Sequence, residues 1–213
     1  MIILLREKIT NEYDRWCAKV TADKDLIPEL NAMSEEQKED AFYRDLAFGT
    51  GGLRGTIGAE TNRMNVYTVA KATQGLANYL KKKYEKPSVV IGHDSRIKSD
   101  LFTQVTAMVL AENGVEVHPW KRLLPVPTVS YATRYLHASA GVMITASHNP
   151  SKYNGYKVYG DDGCQITTEA AAEILAEIEK VDVFDVEIPE YDENRVSYIP
   201  DEVLDSFIAE VKK

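Results

Sequence analysis

Thr145-Ala146-Ser147-His148-Asn149-Pro150 sets a hydroxyl, an imidazole and an amide side by side, straight after the apolar run Ala140-Gly141-Val142-Met143-Ile144. Such an uncharged run reads as a strand buried on both faces. Pro150 forbids its simple continuation. Ser147 and His148 are therefore expected on a loop at the carboxyl end of a buried strand, the edge where open α/β sheets bind ligands. A polar turn that merely satisfies its own backbone fits the same pattern. A second stretch, Phe48-Gly49-Thr50-Gly51-Gly52-Leu53-Arg54-Gly55, crowds glycines around Arg54. Glycine lets backbone amides approach an anion closely, and a guanidinium clamps phosphate through two donors. The stretch is no P-loop, since no Gly-Lys-Ser/Thr follows. Nor is it a dinucleotide fingerprint, because Arg54 stands where the third glycine belongs and no strand is expected before it. A flexible loop with a surface arginine is equally compatible.

Two chemistries can be weighed. A hydrolase using Ser147 and His148 fails on geometry, because adjacent side chains of an extended segment point opposite ways. It also lacks a Gly-x-Ser-x-Gly elbow and an Asp–His orienting pair. Phosphoryl transfer fits better. Arg54, Asp94, Ser95, Arg96, Ser147, His148 and Lys157 all fall at expected strand ends or glycine turns. Such transfer needs positioning, cationic stabilisation and a metal. The chain carries 25 Lys and Arg against 33 Asp and Glu, a net charge of −8. That balance argues against a nucleic-acid surface, while a local basic cluster in an acidic chain suits a small anionic substrate.

Helices are expected over 3–20, from a Ser34/Gln37 capping box to about Leu46, over 66–84, from a Ser99 cap to Glu112, from Thr128 to Leu136, from Thr167 or Thr168 to about Lys180, and from Pro200 onward. Strands are expected at 89–92, 115–117 and 140–145. Asn154-Gly155 reads as a turn, after which 156–159 would run back beside 140–145 and return Lys157 towards Ser147. The acidic stretch 182–193 reads as solvated linker or edge. This alternation predicts an α/β fold, a three-layer α/β/α sandwich with a mixed, mostly parallel sheet. With 44% hydrophobic residues in 213, the chain can bury a sizeable core. It shows no membrane-spanning run, and the apolar start at Met1 is too short and too soon charged for a secretory signal. Cys17 and Cys164 have no metal spacing and suit a reducing cytoplasmic setting, although a single disulfide stays open.

These motifs resemble those of the α-D-phosphohexomutases over roughly residues 40–180. Thr145–Pro150 with Asn154-Gly155-Tyr156-Lys157 is similar to their active-site serine loop, 48–55 to their arginine loop, and Gly92-His93-Asp94-Ser95-Arg96 to their Gly-x-Asp-Thr/Ser-Arg segment. The form of the arginine loop is most similar to the phosphoglucomutase/phosphopentomutase branch. The resemblance implies that Ser147 is a phosphoserine and that Lys157 is a general acid/base. It implies that Arg54 stabilises the transferring phosphoryl group, that His148 and Asn149 hold phosphoserine or substrate, and that Arg96 supports the site. Gly52 and Gly55 would lend a phosphate-binding backbone. Lys157 could instead be a surface lysine, and Arg96 a salt-bridge partner of Asp94. The resemblance further implies a sugar phosphate substrate, glucose 1,6-bisphosphate as activator, and Mg²⁺ bound through the phosphate on Ser147. The other metal ligands, three aspartates of an Asp-Gly-Asp-x-Asp-Arg loop, have no match here; Asp161-Asp162-Gly163 is not one. The expected organisation is a helical extension over 1–45, a first domain of such an enzyme over 46–200, and a helix over 201–213 leading towards further domains. The isolated unit is expected to be inactive. A stand-alone phosphosugar-binding module is the alternative.

Overall fold

The computed structural model describes residues 2–213. The expected amino-terminal helix is α1 (Ile2–Lys19); Met1 and the side chains of residues 2–4 lie outside the described part. Helices α2 (Leu26–Asn31) and α3 (Glu35–Phe42) follow, then β1 (Phe48–Gly49), β2 (Gly52–Thr56), α4 (Val66–Lys83) and β3 (Ser88–His93). The chain continues through α5 (Ser99–Glu112), β4 (Glu116–Pro119), α6 (Pro127–Tyr135), β5 (Ala140–Ile144), β6 (Tyr153–Tyr159), α7 (Thr168–Ile178) and α8 (Asp201–Val211).

The six strands form one sheet in the order β1-β2-β6-β5-β3-β4. It is mixed, as expected, but parallel pairing does not dominate. Only β3–β4 and β3–β5 are parallel, while β5–β6, β6–β2 and β2–β1 are antiparallel. β5 and β6 pair antiparallel because the serine loop between them is too short for a crossover and the chain doubles back.

Side chains alternate between the two sheet faces. Val89, Ile91, Val142, Ile144, Tyr156 and Val158 enter one core beneath α4, α5 and α7. Val90, Met143 and Tyr159 enter a second core beneath α6 and α8. Two cores on opposite faces make the expected three layers. The amino-terminal helices share the first core. Trp16 is fully buried there and meets the rings of Phe42, Tyr67 and Phe184 edge to face, with centroids 6.1, 5.6 and 5.2 Å away. The Tyr67 hydroxyl accepts from the amides of Thr21 and Ala22.

Several local expectations are revised. Asn154-Gly155 is not a turn. Both lie inside β6, and the reversal is made earlier, where Ser147 takes φ +54°. The glycine-rich stretch is a hairpin of β1 and β2 rather than a loop. The capping box at Ser34 is present, but α3 stops at Phe42, and the Leu46 amide turns instead to the Thr61 carbonyl. Lys98, not Ser99, occupies the cap position of α5, with φ +59°. The loop around Pro28 contains α2, which tolerates proline in its first turn. The acidic stretch 182–193 is not wholly solvated, since Val183 is buried and Phe184 packs on Trp16. Cys17 and Cys164 are both free and exposed. Among the described residues no helix is long and apolar enough to cross a membrane.

Candidate active site

β3 and β5 run parallel and end together, so the loops at 94–98 and 145–152 leave the sheet at one edge. Thr145 begins the serine loop. Its hydroxyl donates to Asp94 Oδ2 and accepts from the Ser147 amide at 2.9 Å. Held from two sides, the backbone passes into the left-handed region at Ser147, φ +54°. That conformation costs a non-glycine residue about 1 kcal/mol or more. It leaves Ser147 exposed.

Arg96 fixes the rest of the loop. Its Nη2 donates to the carbonyls of Ser147 and Asn149 at 2.6 Å each, and its Nη1 to those of Pro150 and Tyr153 at 3.1 and 3.0 Å. Its Nε lies 3.5 Å from Asp94 Oδ2, so the same guanidinium holds loop carbonyls and pairs with Asp94. Asp94 Oδ1 in turn accepts from the Arg96 amide and the Ser99 hydroxyl. Asn154 donates to the Ile97 carbonyl and to Ser99 Oγ, tying β6 to the same loop.

The antiparallel return of β6 brings Lys157 opposite Met143, on the face of the second core. Arg54 pairs with Gly155 and so projects from that same face. Lys157 Nζ donates to Ser147 Oγ at 2.7 Å. Partial burial, then the charge of Arg54, lower the Lys157 ammonium below the ordinary lysine range, against an opposing pull from Asp94. Arg54 Nη1 donates to Asn149 Oδ1 at 3.0 Å.

Ser147, Lys157, Arg54, Asn149 and Arg96 thus form one connected cluster. His148 is exposed and, among the described residues, makes no side-chain hydrogen bond. Gly52 and Gly55 are buried in β2, where close packing excludes a side chain at both and Gly52 also takes φ +75°. A Cβ on Gly52 would lie 1.8 Å from the Tyr156 carbonyl oxygen, and one on Gly55 would lie 2.8 Å from Leu46 Cδ1. Thr145 was not singled out from sequence, although a threonine ending an apolar run two residues before the serine is a local side-chain–backbone signal. Glu60 was missed as well. It is buried at φ +103° with Oε2 unpartnered, and desolvation pushes its carboxyl up to about 8.

The family profile described as phosphoglucomutase/phosphomannomutase, alpha/beta/alpha domain I, matches residues 45–184. This chain belongs to that family. The chain is 42% identical over 160 residues to a phosphoglucomutase of Staphylococcus epidermidis, covering 75% of the chain and 29% of that protein. It is 40% identical over 180 residues to a phosphoglucomutase of Staphylococcus aureus, covering 83% and 32%. A solved structure from Thermus thermophilus carrying a phosphomannomutase name superposes with a TM-score of 0.69 at 29% identity, covering 79% of the chain and 36% of that structure. The chain therefore spans about a third of the length of the relatives it matches. The family resemblance read from the motifs is borne out.

The family implies magnesium, a hard cation that needs oxygen ligands. Among the described residues no three His, Cys, Asp or Glu side chains converge to hold a metal. Asp94, beside the serine loop, is already engaged by Thr145, Ser99 and Arg96. These residues do not fit a complete metal site.

Proposed function

We propose that this chain is the catalytic-serine unit of a phosphohexomutase that interconverts sugar 1-phosphates and 6-phosphates, with glucose as the favoured sugar. The observation that carries the reading is the 2.7 Å contact between Lys157 Nζ and Ser147 Oγ, on a loop held by Arg96.

The enzyme would start with Ser147 phosphorylated. A sugar hydroxyl attacks phosphorus, the bond from phosphorus to Ser147 Oγ breaks, and a new bond from phosphorus to sugar oxygen forms. Lys157, lowered towards its neutral form, takes the hydroxyl proton and gives a proton to the departing Ser147 Oγ, which it already contacts at 2.7 Å. The resulting bisphosphate then returns its other phosphoryl group to Ser147 by the reverse of these steps, with Lys157 giving the proton back to the departing sugar oxygen. Arg54 would offer charge-assisted donors to the transferring oxygens. His148 stands exposed at the mouth of the site and would meet substrate. If Mg²⁺ binds, the phosphate on Ser147 would supply one ligand, and the others would come from residues beyond this set.

The test is conversion of glucose 1-phosphate to glucose 6-phosphate in a coupled assay with glucose 1,6-bisphosphate and Mg²⁺. The 213-residue chain would be assayed alone and joined to the remaining family domains. Turnover only in the joined form, abolished by Ser147→Ala, is expected. Tight sugar phosphate binding without turnover in either form would favour the binding-module alternative.

A further inference from the structure

A groove of about 520 Å³ adjoins the serine site. Arg54 lines it, but neither Ser147 nor Lys157 does. Its other charged walls are Arg44, Arg63, Lys152 and Asp40. Asp40 is the one carboxylate, and it pairs with Arg63. The other three cations have no carboxylate partner among the described residues. Arg44 lies over the Tyr43 ring at 4.8 Å, Lys152 beside the Tyr153 ring at 5.8 Å, and Arg54 donates to the neutral Asn149.

In a chain of net charge −8, carboxylates are plentiful, yet none meets these three. Uncompensated like charges around a concavity repel one another and focus a positive field into it. An anion entering the groove would relieve that repulsion. The volume suits a small organic molecule, and the guanidinium groups match phosphate oxygens in pairs.

We infer that this groove is a second anion site that takes a phosphate-bearing small molecule, with the phosphate held by Arg44, Arg54 and Lys152. It stands apart from the transfer chemistry proposed for Ser147. Arg54 belongs to both sites, so an anion here competes with Asn149 for its guanidinium and thereby couples the groove to the serine loop.

The probe is inorganic phosphate, titrated into the 213-residue chain at constant ionic strength and followed by amide resonances, with chloride as control. Saturable shifts at Thr56 and Tyr153 are expected, and they should persist in Ser147→Ala. Arg44→Gln with Lys152→Gln should weaken the apparent affinity about fivefold, the loss of roughly two exposed charge contacts. Lys152→Gln alone should weaken it about twofold by the same reasoning, which keeps the test open if the double variant misfolds. Shifts that never saturate, or an affinity unchanged in the variants, would overturn the inference. Shifts confined to 145–149 would also overturn it, while leaving the reading of Ser147 intact.

Discussion

At the scale of the residue, Lys157 and Glu60 each titrate outside their ordinary range because of where they sit. Lys157 is lowered first by burial and then by Arg54. Its neutral fraction therefore grows at any pH below the ordinary lysine range. Lys157→Ala should cost about 10²–10⁴-fold in phosphoryl transfer, the usual contribution of a general acid/base. In the pH–rate profile, Arg54→Gln should move the lysine limb towards higher pH, because it removes a repelling charge. An unmoved limb would mean that Lys157 is not the titrating group. Glu60 behaves in the opposite sense. Its folded carboxyl is raised to about 8, so the folded state binds the proton more tightly than the unfolded state does. That stability is present below the unfolded value of about 4.3 and is lost as pH rises through the folded one. Glu60→Gln should flatten this fall and leave the protein about 1–3 kcal/mol more stable at pH 9, measured by urea unfolding across pH. The two residues also differ in legibility. Lys157 could be anticipated as a partner of Ser147 because a strand following a polar loop returns its alternate residues to a known edge. Glu60 follows no periodicity, and of the charges that act on it only Arg63 is near in sequence, while Glu29 and Asp40 come from α2 and α3.

At the scale of the element, the serine loop is held in place because Arg96 satisfies three of its carbonyls and that of Tyr153 at the start of β6. A lysine presents a point charge and cannot fork across them. Arg96→Lys should therefore lower phosphoryl transfer to Ser147 and destabilise the fold by about 2 kcal/mol, the scale of lost charged hydrogen bonds. The hairpin is equally constrained. Gly52→Ala would drive a Cβ into the Tyr156 carbonyl from a backbone at φ +75°. It should cost about 3 kcal/mol or more in thermal or urea unfolding. Here the sequence was least informative. Four glycines read locally as freedom, whereas Gly52 is required by the close approach of β6, a partner about a hundred residues later. The same tertiary override placed Asn154 and Gly155 inside a strand. The Asn154 amide is consumed by the Ile97 carbonyl and Ser99, and a Cβ on Gly155 would lie 2.7 Å from the Thr145 carbonyl oxygen. The long helices and the strand at 140–144 were readable because one uniform period, or one uniform burial, runs through each.

At the scale of the whole molecule, the amino-terminal helices are built into the core rather than appended to it. Trp16 carries that junction. Trp16→Ala should lower stability by about 3–5 kcal/mol, and unfolding should remain a single transition when followed by both fluorescence and circular dichroism. The helical content of this region was legible, but its shared core was not, because Trp16 meets Phe184 across most of the chain. The sheet edge where the loops of β3 and β5 meet gathers Ser147, Lys157, Arg54 and Arg96, and the central claim is that this edge carries phosphoryl transfer. Intact mass spectrometry with peptide mapping, after incubation with glucose 1,6-bisphosphate and Mg²⁺, tests it most directly. It would be run on the chain joined to the remaining family domains and on the Lys157→Ala variant. One added phosphate mapping to Ser147, and markedly slower addition in Lys157→Ala, is the predicted result. A protein that turns over sugar phosphate with no phosphate on Ser147, or with phosphate on another residue, would contradict it.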